Sequence, residues 1–292
     1  MRFGVLTLPN VPLDELERRW RTLDELGVET IWLADQLQSE ISPARPWFEA
    51  WTCLGAVARC TERARVGPLV SPLLLRNPAV LAKAAVTLDH LTGGRAELGV
   101  GAGGSPLDAE LAAGEPVGSD GGADRLVPFV EALVAHLDGD RLQPRPVQQR
   151  VPLTIGAHSP AALRLAARHA DRWSSYGGVG LEPETALERA RARNARLDEL
   201  CAEEGRDPRT LTRSLLLGHR YVGETPWRSE DAFLDVVRRW GEAGMDELVL
   251  YYPATVQMPA GTVEDGLFER VFRDLVPGLR HAQRGSPARV GE

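Results

Sequence analysis

Short apolar runs alternate with longer amphipathic stretches along the whole chain. RFGVLTL (2–8) reads as a strand, and over 12–27 behind it Leu16, Trp20, Leu23 and Leu26 recur at helical spacing before Gly27 supplies a stop. TIWLADQ (30–36) is the next strand, FEAWTCLGAVARCT (48–61) a helix, and RVGPLVSP (65–72) a third strand. The helix predicted over 77–94 has Pro78 near its first position and Gly93 at its end. The same rhythm continues with strands at 95–104, 153–157, 172–177, 211–218 and 247–253, separated by helices at 124–139, 159–170, 183–204, 229–241 and 264–280. Ser159 and Pro160 suit the N-cap and first turn of the helix they open.

Eight strand–helix pairs with no composition break between halves predict an α/β protein folded as one (β/α)8 TIM barrel over 1–280, with 281–292 as a flexible tail. In such a barrel, ligand-facing residues sit at the C-terminal ends of the strands. That rule selects Thr7, Pro9, Asp35, Gln36, Leu69 to Ser71, Gly101 to Gly104, His158, Ser159, Ser174 to Gly177, His219, Arg220, Tyr251 and Tyr252.

Gly99, Gly101 and Gly104 have the G-x-G-x-x-G spacing of a dinucleotide-binding turn, with Asp120 and Asp124 about 20 residues on. Context argues against that reading. The motif lies on the fourth strand, and a polar, glycine-rich loop of about twenty residues follows it where a helix should start. Glycines at a barrel strand's end are instead expected to let a flat ligand lie against backbone.

A net charge of −7 argues against a general nucleic-acid surface. No apolar run approaches the roughly 20 residues that span a bilayer, and MRFGVLTL lacks a signal-peptide pattern, so neither nucleic acid nor membrane is expected as a partner and a cytoplasmic location is. Cys53, Cys60 and Cys201 form an odd set without C-x-x-C spacing and are expected to be reduced core residues. No histidine pair stands at i, i+4 with a carboxylate, so no metal is expected.

RVGPLVSPLLLRNPAVLAKAAVTLDHLTGGRAELGVGAGG and IGAHSPAALRLAARHADRW together resemble the bacterial luciferase-like oxidoreductases, barrel enzymes that use reduced FMN or the deazaflavin coenzyme F420. The match runs over 2–255 in strand order and is strongest over 65–104 and 155–173. The resemblance implies a ring seated in the barrel mouth against a bulge after the third strand, at Pro68, Leu69, Val70 and Ser71, often with a non-proline cis peptide. It implies a phosphate site on the loop after the fifth strand, at Ala157, His158 and Ser159, where a helix N-terminus offers free N–H groups. Thr7, Gly101, Ala102 and Gly103 complete the expected cofactor contacts, and Arg125 stands where luciferases place an arginine near the phosphate.

Three departures from the family pattern bear on chemistry. Ala102 replaces a luciferase arginine, which weakens the FMN version of the phosphate site. Asp35-Gln36 replaces an Asp-His pair, and glutamine cannot shuttle a proton near neutral pH. Gly104 replaces the acid glutamate of deazaflavin-dependent sugar-phosphate dehydrogenases, which argues against that reaction.

The catalytic candidates are Asp35, Gln36, His158 and Tyr176, with His219 and Tyr251 at other strand ends. The expected activity is monooxygenation or hydride transfer on a small organic substrate by a homodimer, with FMN and F420 both open. The alternatives are a non-catalytic flavin-binding barrel and a flavin-independent barrel enzyme acting on a phosphorylated metabolite.

Overall fold

A computed structural model describes residues 1–39, 44–103, 105–112, 122–140, 142–156, 158–178, 180–218, 226–252 and 264–284. Gly104, Asp120, Ala157, His219, Arg220 and the tail beyond 284 lie outside the described residues.

Nine strands form one parallel sheet: β1 (Arg2–Thr7), β2 (Thr30–Leu33), β3 (Arg65–Pro68), β4 (Ser71–Pro72), β5 (Leu98–Gly101), β6 (Leu153–Gly156), β7 (Arg172–Ser175), β8 (Thr212–Leu217) and β9 (Glu247–Tyr252). Their order is β3-β2-β1-β9-β8-β7-β6-β5-β4. β3 pairs with β2 and β4 with β5, and a bridge between Val66 and Ala96 brings β3 to the start of β5. β3 and β4 are therefore two halves of one interrupted strand that closes the ring, and the nine strands make the eight staves of a (β/α)8 barrel.

The helices are α1 (Leu13–Glu25), α2 (Ala50–Cys60), α3 (Pro78–Thr92), α4 (Pro106–Leu111), α5 (Gly122–Asp138), α6 (Pro160–His169), α7 (Pro183–Glu203), α8 (Glu230–Glu242), α9 (Leu267–Arg270) and α10 (Val276–Arg284). Caps readable in the sequence set their ends. The Asn77 side chain accepts from the Ala79 and Val80 N–H groups ahead of Pro78, and Gly93 ends α3 in the left-handed region at φ 65°. Ser159 caps α6 by accepting from Ala162 N–H. α4 corrects the expectation of a plain loop after the fourth predicted strand: Ser105 caps Asp108 N–H and Pro106 takes the first turn, but six residues are too few to show a period.

The apolar interior divides in two. Phe3, Val5, Ile31, Leu33, Val66, Leu98 and Ile155 face the helices, while Leu6, Trp32, Ala34, Leu69 and Val249 form a separate cluster. Alternate residues of one strand fall in different clusters, as the period of two requires: Leu6 and Trp32 belong to the second, Val5 and Ile31 to the first. The second cluster therefore fills the barrel.

The N-terminal end of the barrel is closed by charge. Arg172, at the start of β7, lies 2.8 Å from Glu97 and 2.8 Å from Glu247, and donates to Thr154 Oγ1 at 3.1 Å. Arg65 pairs with the other oxygen of Glu97. Burial opposes the charge on Arg172, but Glu247 and Glu97 outweigh it and raise the guanidinium pKa. The same guanidinium lies 5.2 Å from the centre of the Trp32 ring, a contact of about 0.5–2 kcal/mol that joins the ionic layer to the apolar one above.

Glycines make room for this filling. A Cβ on Gly4 would come within 2.8 Å of Trp32 Nε1. At the interruption between β3 and β4 the Leu69–Val70 peptide is cis, and Val70 enters a hollow where a Cβ on Gly99, Gly101 or Gly156 would meet its methyl groups at 3.2, 2.8 and 3.4 Å. Gly101→Ala therefore meets a side chain, whereas Gly99→Ala also meets the Pro68 carbonyl oxygen at 2.3 Å. Each should cost about 1–3 kcal/mol in denaturant unfolding. Val70→Ala should recover most of the loss from Gly101→Ala and little of that from Gly99→Ala; equal recovery of both would show that the hollow is not tight.

Candidate active site at the barrel mouth

The apolar cluster inside the barrel extends upward through Leu8, Trp47, Val70, Leu216 and Tyr251 to the C-terminal ends of the strands. Loop contacts hold the rim in place. Trp47 Nε1 donates to the Gln36 carbonyl at 2.9 Å, Phe48 N–H to the Pro9 carbonyl at 2.9 Å, and Leu37 N–H to Asp108 Oδ1 at 2.8 Å. The loop after β2 is thus tied to α4, and the segment before α2 to the loop after β1.

Asp35 is buried, and both its oxygens are engaged. Oδ2 accepts from Ser71 Oγ at 2.6 Å and from Arg76 Nε at 3.0 Å, and Oδ1 accepts from Arg76 Nη2. Ser71 Oγ in turn accepts from Trp51 Nε1 at 2.9 Å, and Arg76 reaches Glu49 at 2.7 Å. Glu49 caps α2 through Thr52 N–H. This relay ties α2, the end of β2 and β4 around the cis peptide. These partners fix the Asp35 side chain, and with it the segment around the interruption between β3 and β4.

Across the mouth, His158 Nε2 and Ser175 Oγ are 2.9 Å apart, and the same hydroxyl oxygen accepts from Gly177 N–H at 3.0 Å. The His158 and Tyr176 ring centres are 4.3 Å apart. Burial first, and the positive charge of Arg193 second, push the imidazole pKa down to about 3. Lowered this far, the imidazole is neutral near pH 7 and can donate or accept a hydrogen bond at the mouth.

Several expected contacts are differently placed. Thr7 faces the helices: its Oγ1 donates to the Trp32 carbonyl at 3.1 Å and accepts from Trp20 Nε1 at 3.2 Å, while Leu8 faces the mouth. Ala102 packs against the helix-facing core, and so does Tyr252, which stacks edge-on against Phe268. Pro68 and Ser71 are buried beside the interruption, and Arg125 is exposed on the first turn of α5. The glycines expected as a floor for a ligand border protein instead, since Val70 fills the space above Gly99 and Gly101. Gly103, in the left-handed region at φ 84°, packs on Pro72. Trp32, Arg76 and Asp108 carry no strand-end signal in the sequence; the last two stand four positions beyond the predicted strand ends, where their partners are set by tertiary contact.

The cysteines match the expected core role in part: Cys53 and Cys201 are buried, Cys60 is half-buried, and burial drives the Cys53 thiol up to about 11. Among the described residues no group of histidine, cysteine and carboxylate side chains is arranged to hold a metal, and no helix is long and apolar enough to cross a membrane.

The profile of the luciferase-like monooxygenases matches residues 1–271. The chain belongs to this family. As a luciferase-like protein it is an oxidoreductase, and its relatives divide between two chemistries. It is 29% identical over 280 residues to an F420-dependent glucose-6-phosphate dehydrogenase of Beutenbergia cavernae, covering 89% of this chain and 76% of that one. It is 30% identical over 232 residues to a 4-hydroxyprotoasukamycin monooxygenase of Streptomyces nodosus subsp. asukaensis, covering 70% of this chain and 60% of that one. The coenzyme F420-dependent tetrahydromethanopterin reductase of Methanopyrus kandleri shares the fold, with a TM-score of 0.71 at 15% identity over 95% of this chain and 99% of that one.

The neutral state of His158 has a measurable consequence. Its folded pKa lies below the ordinary value of 6.5, so the stability it contributes is present above pH 6.5 and is lost as pH falls toward about 3. Between pH 6.5 and 5 the loss reaches at most ~2 kcal/mol. Urea unfolding of His158→Gln should show an acid limb flattened by up to that amount; an unchanged limb would show that the histidine is not buried as described.

Proposed function

We propose that this luciferase-like chain is a cytoplasmic enzyme that binds a flavin-type cofactor, reduced FMN or coenzyme F420, in the barrel mouth and acts on a small organic substrate by hydride transfer or monooxygenation. The observation that carries this reading is the interrupted third strand, with Val70 seated in a glycine hollow beneath an otherwise apolar mouth. Leu69, Trp47, Leu8 and Tyr251 offer the mostly apolar lining that a flat aromatic ring requires, with few polar groups to orient it. The donor set therefore fits the group.

When bound, the cofactor supplies the two-electron redox step that the side chains present cannot. The chain's own residues position and shield. Leu69 and Val70 would hold the ring, with buried Ser71, Asp35 and Arg76 keeping that segment in place. Gly101 and Gly103 border it. His158 and Ser159 would lie toward the cofactor's phosphate, where the α6 N-terminus favours an anion. Gln36, neutral His158 and Tyr176 would provide hydrogen-bonding groups near the substrate.

Titration of the purified protein with FMN and with F420, each oxidised and reduced, tests the reading by absorbance and fluorescence. Saturable binding of one of them is expected, and substrate-dependent oxidation of the reduced form separates an enzyme from a cofactor store. Failure of both to bind would overturn the proposal.

We further infer that the chain pairs as a homodimer. A groove of about 520 Å³ on the outside of the barrel, between α2 and α3, is lined by Trp51, Ala79, Val80, Lys83, Leu88 and Leu91. Val80 is 67% and Leu91 43% exposed there, an apolar face of the kind that marks an interface. Light scattering should give twice the chain mass for the wild type and the single-chain mass for Val80→Glu; a monomeric wild type would refute the pairing.

A further inference from the structure

We propose that Arg189 and Arg193, on the half of α7 nearest the barrel mouth, form an anion subsite beside the Gly177–Gly178 turn that takes a phosphate group. The proposal rests on the reading that a phosphate-bearing redox cofactor occupies the mouth, and it names the side chains that meet the phosphate's charge.

The two arginines stand at i and i+4, so their guanidinium groups share one face of the helix. Their other neighbours at three and four residues are Thr185, Ala186, Ala190, Ala192, Arg196 and Leu197, none of which is acidic. A like-charge pair at this spacing opposes the helix it sits on. Elsewhere on α7 the arrangement is the reverse: Arg196 pairs with Glu199 and Glu203, and Asp198 pairs with Arg213.

Both guanidinium groups border the turn after β7. Arg193 is half-buried and donates through Nη1 to the Gly177 carbonyl at 3.0 Å. Arg189 Nη1 lies 3.8 Å from where a Cβ on Gly178 would stand. Burial and then the charge of Arg189 lower the Arg193 pKa, and the opposing influence comes from Tyr176, with no carboxylate contributing among the described residues. Among the described residues, positive charge is therefore concentrated beside His158, which feels the charge of Arg193. Because His158 is neutral, it adds a hydrogen bond to this corner and no further charge. An ionised phosphate would offset the repulsion between the two arginines and accept their forked N–H groups, as a neutral ligand would not.

A phosphate here can come from the cofactor or from a phosphorylated substrate, and the ligands chosen separate the two. Dissociation constants of FMN and riboflavin, and of F420 and its phosphate-free deazaflavin core, are measured by fluorescence for the wild type and for Arg189→Gln/Arg193→Gln. The double variant should bind the phosphate-bearing cofactor roughly tenfold or more weakly while holding the phosphate-free ring within about twofold, and should show a flatter dependence on salt. Equal losses for both forms, or none, would overturn the subsite.

If neither form of either ring binds the wild type, the cofactor reading fails, and calorimetry with inorganic phosphate and with glucose 6-phosphate then reads the subsite alone. Binding by the wild type that the double variant loses would keep the subsite and assign it to substrate; no binding by the wild type would refute it. Arg193 also holds the Gly177 carbonyl, so Arg189→Gln, altered only at an exposed side chain, serves as the folding control. It should show a smaller loss in the same direction, and no loss would contradict the pair.

Discussion

Space inside the barrel is what the rest of this molecule is arranged around. Trp32 and Val70 fit there because the positions facing them, Gly4 below and Gly99, Gly101 and Gly156 above, carry no side chain. Once Val70 is seated, Leu69 joins the mouth cluster and Ser71 is delivered to Asp35 and Trp51. The third strand cannot run through unbroken and also place these three residues, so it divides into β3 and β4.

The two ends of the barrel then take different chemistry. At the N-terminal end Glu97, Arg172 and Glu247 form a buried layer of ion pairs, joined at its edge by half-buried Arg65. At the C-terminal end the lining is apolar, the buried carboxylate of Asp35 is paired, and His158 is held neutral. Charge is thus concentrated at one end, and the other is left as an apolar mouth, the low-dielectric setting proposed above for a redox cofactor. This division follows the separation of stability and function common to barrels of this class.

Much of the fold was legible because rhythm and caps are local signals. The alternation of strands and helices, Asn77-Pro78 at the start of α3, Gly93 at its end and Ser159-Pro160 before α6 each act through neighbours in sequence. The site was less legible because strands buried on both faces do not reveal which face is inward. Thr7 and Ala102 accordingly lie on the helix side, one residue out of phase with Leu8 and Gly103. The glycines of GVGAGG were recognised as positions requiring close approach, but what approaches Gly99 and Gly101 is Val70. Asp35 was found as a strand-end carboxylate, and its partner Arg76, 41 residues away, could not be. Arg189 and Arg193 were hidden in a long polar helix whose ordinary reading is a solvated face.

The central claim is that the Val70 seat shapes the surface on which the redox cofactor lies. A crystal structure of the protein with oxidised F420 or FMN bound tests it most directly. The account predicts the ring against Leu69 and Val70, with Val70 still in the hollow of Gly99, Gly101 and Gly156. A ring bound away from that segment, or Val70 displaced from the hollow with the ring in its place, would contradict it.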